Sequence, residues 1–325
     1  MDKLLEVNGL KTYFYTNEGV MPAVDGVSFS LEEGEILAIV GESGCGKSVT
    51  SMSLLNLVSR PGKIIEGEIL YKNDNLLEKN EEEMRRIRGN EISMIFQEPV
   101  ASLNPVFKIG RQIGETIMFH QNVSKKEANM RALELLSSVG IPDPMGVMEK
   151  YPHQLSGGMC QRVMISIALA CKPKILIADE PTTSLDVTIQ AQILRLLKDL
   201  KKETGTAIIL ITHDMGVVAQ MADNVMVMYA GQAVEYTGVK EIFANPQHPY
   251  TLGLLNSIPK INESQEELYN IKGMVPGMGE YPAGCRFSPR CEYVCDNCLE
   301  NVPDLAQTGH FHHVRCHNPR MRGIG

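Results

Sequence analysis

No stretch of this chain is apolar over enough residues to cross a bilayer. The longest apolar runs, 163–171 (VMISIALAC) and 207–211 (AIILI), fall far short of the roughly 20 residues a spanning helix needs. The first ten residues, MDKLLEVNGL, lack the apolar core of a secretory signal. A basic excess is missing too: 31 Lys and Arg stand against 39 Asp and Glu, a net charge of −8, so the usual mark of a general nucleic-acid-binding surface is absent. No internal repeat and no low-complexity tract interrupts the chain. These absences leave a globular protein of the cytosol, and one that works at a membrane only if another protein holds it there.

What is present is ordinary in bulk and uneven in detail. With 325 residues, 43% hydrophobic and 22% charged, the chain suffices for one large α/β domain with an appendage. Eight cysteines are not expected to form structural disulfides in the cytosol. Cys45, Cys160 and Cys171 are scattered, whereas Cys285, Cys291, Cys295, Cys298 and Cys316 crowd towards the end. Such crowding suggests a local job.

Residues 4–40 read as β structure, with the runs LLEV, KTYFY and VSFSL, turn-like TNEG (16–19) and EEGE (32–35), and a short buried strand, ILAIV (36–40). A glycine-rich turn at 41–46 leads into the helix-like SVTSMSLLNLV. Between about 100 and 170 helical periodicity dominates. The segment 125–140 places Met130, Leu133, Leu136 and Val139 on one face and stops at Gly140. ILIAD (175–179) and AIILIT (207–212) read as buried parallel strands flanking a helix from about Val187 to Glu203, and 225–238 reads as a closing hairpin. Beyond about Pro259 the pattern weakens, which places a boundary there.

GESGCGKS at 41–48 satisfies G-x-x-x-x-G-K-S/T at every required position. Gly41, Gly44 and Gly46 let the backbone curl, so that N–H groups along Gly41, Ser43, Gly44, Cys45 and Gly46 converge on phosphate oxygens. The following helix adds the positive end of its dipole. Lys47 is expected to reach the β- and γ-phosphates, and Ser48 to place its hydroxyl on Mg²⁺. Downstream, ILIADE ends an apolar strand in two carboxylates: Asp179 suits Mg²⁺ through its water shell, and Glu180 suits the polarisation of an attacking water. A carboxylate pair after a strand is ordinarily a solvated loop start; a phosphate-binding loop upstream reverses that balance.

LSGGMCQR at 155–162 narrows the class, because it resembles the signature motif of ATP-binding-cassette (ABC) proteins. Ser156, Gly157 and Gly158 open a helix beginning near Met159 and present a hydroxyl and backbone donors at its positive end, an anion site as well as an N-cap. The resemblance implies a RecA-like P-loop NTPase core with an N-terminal antiparallel β subdomain. It also implies an inserted helical subdomain near 100–170, within a nucleotide-binding domain over 1–258. Residues 259–325 then form a small cysteine-rich extension. It further implies that Gln97, in IFQEP, contacts Mg²⁺ and the attacking water, that SLD at 184–186 is the D-loop, and that His213 touches the γ-phosphate. An aromatic near the N-terminus should stack on adenine: Tyr13 is the first choice, with Phe14 and Tyr15 as rivals. One departure is visible, Cys160 where the family often has arginine; the phosphate-facing positions are intact.

PTTSLDVTIQAQIL (181–194), HPYT (248–251) and GCRFSPRC together resemble the dipeptide/oligopeptide-importer ATPases. That resemblance implies an ATPase subunit on the cytoplasmic face of the membrane, paired with a second, homologous ATPase as a heterodimer. Two transmembrane permease subunits and, indirectly, an extracytoplasmic peptide-binding protein complete the assembly, with no nucleic acid. Nickel and oligosaccharides are alternative cargoes, and a soluble non-transport ABC ATPase is the alternative class. Four tail cysteines suffice for a cluster or a structural zinc, and spacing alone does not choose; Cys295-x-x-Cys298 with nearby histidines would suit zinc. The resemblance favours a [4Fe–4S] cluster on Cys285, Cys291, Cys298 and Cys316, leaving Cys295 spare. A redox or metal sensor acting on the ATPase is a further reading of the tail.

Overall fold

Five consecutive apolar residues, Ile36–Val40, form a strand buried along its whole length, and the phosphate-loop segment hangs from its end. The computed structural model describes residues 3–182, 186–258, 270–277 and 279–319. By its contacts the chain divides into two units, one of Met1–Leu31, Ile36–Leu77 and Thr212–Gly325, the other of Glu32–Glu35 and Glu78–Ile211. The boundary expected after residue 258 falls against 259–269, which lie outside the described residues.

In the first unit, Lys3–Thr16, Gly19–Glu32, Gly62–Tyr71 and Asp74–Asn75 form a four-stranded sheet. LLEV and KTYFY, read as separate runs, join in the single strand Lys3–Thr16. Its antiparallel register with Gly62–Tyr71 slips between Asn8 and Lys11, a bulge centred on Gly9 at φ +59°. Ile36–Val40 runs parallel to Asn224–Tyr229, which turns back antiparallel into Gln232–Gly238, the hairpin expected from the sequence. The tail then supplies two strands that were not expected. His312–Val314 pairs antiparallel with Gln232–Gly238, and Ala306–Gly309 pairs with His312–Val314.

An aromatic core sits beneath these strands. Tyr229 meets Tyr250 edge-on at 4.7 Å and Phe287 at 5.1 Å, and Val40, Val227 and Ile271 pack in the same cluster. Each such aromatic pair adds roughly 0.5–1.5 kcal/mol beyond its buried area. A buried carboxylate fixes the tail strand. Glu235, wholly inaccessible, accepts from the backbone N–H groups of Gln247 and His248 and from Nε2 of His312 at 2.8 Å. Its oxygens are thereby satisfied, which a buried carboxylate requires.

The second unit holds the parallel strands Ile92–Ile95, Ile175–Asp179 and Ala207–Thr212. Its longer helices are Ile109–Gln121, Lys125–Ser138, Gly157–Leu169 and Val187–Thr204. Ser124 caps Lys125–Ser138 at its start, and Gly140, at φ +76°, ends it as expected. Leu136 and Val139 are buried as expected and Leu133 half-buried; Ala128 and Ala132 join the inward face, while Met130 is 51% exposed. The small alanines let the neighbouring helix approach closely, and a pattern scored on large apolar residues overlooks them.

Candidate functional site

In the first unit, the loop after Ile36–Val40 turns into the helix Lys47–Leu54, with Gly46 as its N-cap at φ +103°. A Cβ on Gly46 would stand 2.3 Å from the carbonyl oxygen of Ala23, and one on Gly41 would stand 2.2 Å from that of Met228. Both positions therefore demand glycine. Gly46→Ala is expected to cost about 1–2 kcal/mol through its backbone conformation alone, and to weaken nucleotide binding as the loop shifts. Thermal unfolding and a nucleotide titration measure the two effects; wild-type behaviour in both would show that the loop tolerates the methyl. Lys47 is buried, and its Nζ donates to the carbonyls of Gly41 at 2.8 Å and Glu42 at 2.9 Å. Ser43 and Gly44 are exposed at the tip, Cys45 is buried and Ser48 half-buried.

His213 follows the strand Ala207–Thr212 and lines a cavity of about 460 Å³ together with Gly41, Glu42, Leu254 and Ile271. Tyr13 is half-buried and donates its hydroxyl to Asp25 at 2.8 Å. Burial and that bond push its phenol up to about 12. Of the rival aromatics, Phe14 is half-buried and Tyr15 is exposed.

In the second unit, Asp179 closes its strand, with only 3% of its surface exposed. Glu180 follows in the left-handed region, at φ +47°, with its N–H bonded to the carbonyl of Ile211. Non-glycine residues adopt that region rarely, and its occupation by a glutamate costs backbone strain that the surrounding structure must hold. The side chain of Glu180 accepts from Nε2 of Gln97 at 3.1 Å, so two residues separated by 83 positions are brought together. Ser156 caps the helix Gly157–Leu169, accepting from Met159 N–H at 3.4 Å. Ser156 and Gly157 are exposed and Gly158 is half-buried. The departure at Cys160 faces the interior, where burial pushes its thiol up and Sγ donates to Pro152 O. Ser184 and Leu185 of the expected D-loop lie outside the described residues. Asp186 caps the helix Val187–Thr204.

Cys285, Cys291, Cys298 and Cys316 line one small cavity with Phe287, Ser288 and Tyr293. The backbone N–H of Asn318 donates to Sγ of Cys316 at 3.4 Å, and that of Ser288 to the carbonyl of Cys285 at 2.9 Å. Burial dominates at Cys291, whose thiol is pushed up to about 11. Sγ of Cys295 lies 3.4 Å from that of Cys298. Among the described residues, no three Cys, His, Asp or Glu side chains stand as a formed metal site.

Two contacts to the phosphate loop were not read from the sequence. The hydroxyl of Tyr250, in the HPYT segment, accepts from Glu42 N–H at 2.8 Å. Arg290, in the cysteine-rich tail, forms an ion pair with the Glu42 carboxylate. HPYT was a visible sequence signal, but nothing local ties it to residue 42.

Residues 24–183 match the ABC transporter family, and residues 234–298 match the family described as Oligopeptide/dipeptide transporter, C-terminal region. The chain is 55% identical over 317 residues to the oligopeptide transport ATP-binding protein AppD of Bacillus subtilis, covering 97% of each chain. It belongs to the ATP-binding proteins of ABC transporters. Among other relatives of this ABC ATPase, the dipeptide transport ATP-binding proteins DppD of Bacillus subtilis and Haemophilus influenzae are 51% and 47% identical, each over 97% of this chain and at least 95% of the relative. A solved dimeric, post-hydrolysis structure of the ATP-binding cassette MJ0796, bound to ADP and Pi, matches with a TM-score of 0.67 at 29% identity. It covers 72% of this chain and 98% of that one. Among the described residues of the ABC ATPase, no helix is long and apolar enough to cross a membrane.

Proposed function

We propose that this ABC ATPase powers the import of di- or oligopeptides, hydrolysing ATP in a face-to-face dimer at the cytoplasmic face of the membrane and driving two permease subunits supplied by an extracytoplasmic binding protein. The peptide cargo is supported by the names of the relatives, which match over nearly the whole chain. The catalytic reading is carried by the contact between Gln97 and Glu180 beside the buried Asp179. Lys47 and the loop N–H groups bind the phosphates, Tyr13 stacks on the base, and Glu180 takes a proton from the attacking water. His213 contacts the γ-phosphate. The exposed Ser156, with Gly157 and Gly158, faces the nucleotide held by the second subunit.

Ser48, Asp179 and Gln97 carry a hydroxyl, a carboxylate and an amide oxygen, hard donors of the kind Mg²⁺ takes; the ion would neutralise phosphate charge. Residues 1–258 make up the cassette and 259–325 the extension. The test of cargo is reconstitution with the permease subunits in vesicles. ATP-dependent uptake of labelled peptide is expected; uptake of nickel or oligosaccharide instead would reassign the cargo.

In the extension, Cys285, Cys291, Cys298 and Cys316 suit a [4Fe–4S] cluster: four thiols share a cavity, and a backbone donor is already aimed at Cys316. Such a cluster would hold together a segment with little core of its own. Zinc is the second reading, favoured by the close approach of Cys295 and Cys298. Both ring nitrogens of His317 are engaged, with Asn297 and with Asn301 O, which counts against that histidine as a ligand. Anaerobic purification is expected to give a brown protein absorbing near about 400 nm, with colour and iron lost in Cys316→Ser. A colourless protein containing zinc would overturn the assignment.

A further inference from the structure

A carboxylate is an awkward occupant of a loop whose task is to gather a polyanion, yet Glu42 follows the first glycine of GESGCGKS directly. The structure shows how that charge is held. Nη1 of Arg290 donates to Oε2 of Glu42 at 2.7 Å, and Nη2 donates to Oε1 at 3.0 Å, a two-pronged pair reaching across 248 positions of sequence. The Arg290 side chain is only 5% exposed. Its remaining donor capacity is spent on the carbonyls of Lys272 and Ile271 and on the Tyr229 hydroxyl. Tyr250 fixes Glu42 from the other side, through the backbone N–H. Burial works against the guanidinium charge, and the bonds to Glu42 and Tyr229 more than offset it, so the group stays charged.

We infer that Arg290 is a positioning residue of the nucleotide site: the cysteine-rich extension uses it to neutralise and clamp Glu42, so that the loop 41–48 presents a net attractive field to a nucleoside triphosphate. The inference rests on the reading of that loop as the ATP site. Without the guanidinium, Glu42 sets an uncompensated negative charge against the incoming phosphates. It is also freed to turn back on Lys47, whose ammonium already touches the Glu42 carbonyl. Arg290 immediately precedes Cys291, so the segment that carries a thiol of the tail cavity also carries the counter-charge of the phosphate loop.

The test is displacement of a fluorescent ATP analogue by Mg-ATP on the full-length chain. Arg290→Gln is expected to weaken ATP about tenfold at low ionic strength, with the deficit shrinking to about threefold in 0.5 M salt as the Coulomb attraction over a half-exposed loop is screened. Arg290→Lys keeps the charge but not the two-pronged fork, so its affinity is expected to fall between those of wild type and Arg290→Gln. Glu42→Gln combined with Arg290→Gln should restore affinity to near wild type, because it removes the charge that needed a partner. Wild-type affinity in Arg290→Gln, or a double variant as weak as the single, would overturn the inference. Should Arg290→Gln fail to fold, the double variant decides: affinity near wild type sustains the inference, and a folded double variant about tenfold weaker sinks it. Lys47→Ala serves as the control. If that variant binds ATP like wild type, the reading of the loop fails rather than the role of Arg290.

Discussion

Lys47→Ala is expected to reduce ATP affinity by about 10- to 100-fold, the loss of one hydrogen bond from a charged donor at roughly 1.5–3 kcal/mol. Hydrolysis should fall further, by about 10²–10³-fold, because a cation aimed at the β- and γ-phosphates gains strength as charge develops there. The structure makes this a test of charge rather than of reach. Lys47 sits buried with its ammonium folded over the loop carbonyls of Gly41 and Glu42, held within the loop. Equilibrium titration with a fluorescent ATP analogue measures the first effect and phosphate release the second. Unchanged affinity would remove residues 41–48 from the nucleotide site.

Glu180→Gln separates binding from chemistry. A general base contributes about 10²–10⁴-fold, so turnover should drop by that factor while ATP binding survives. Local geometry should survive as well, since the amide oxygen introduced can still accept from Nε2 of Gln97 where the carboxylate now does. ATP should then accumulate in a closed dimer, seen as a doubled mass in light scattering that collapses when nucleotide is removed. Brisk turnover in this variant would disqualify Glu180 as the base.

The strand, glycine turn and helix around 41–48 were legible because their determinants are local: five apolar residues, glycines at positions the turn cannot share with other residues, then a lysine. The strands Ile175–Asp179 and Ala207–Thr212 were legible for the same reason, being short and uniformly apolar. The tail was not. AQTG and HHV carry no alternation that a pattern could find, and they become strands because Gln232–Gly238 offers them an edge and Glu235 a buried anchor for His312. The inward face of Lys125–Ser138 was only partly legible, because Ala128 and Ala132 carry little hydrophobic weight and yet are buried. The partners of Glu42 were invisible because Tyr250 and Arg290 lie more than two hundred residues away.

The pairing of His312–Val314 with Gln232–Gly238 also sets an order of events during synthesis. The hairpin 224–238 leaves the ribosome some seventy residues before the segment that covers its open edge. In that interval it presents unsatisfied backbone donors and acceptors to any passing strand. A nascent chain stalled before residue 312 should therefore be the species most prone to aggregate and most dependent on chaperones.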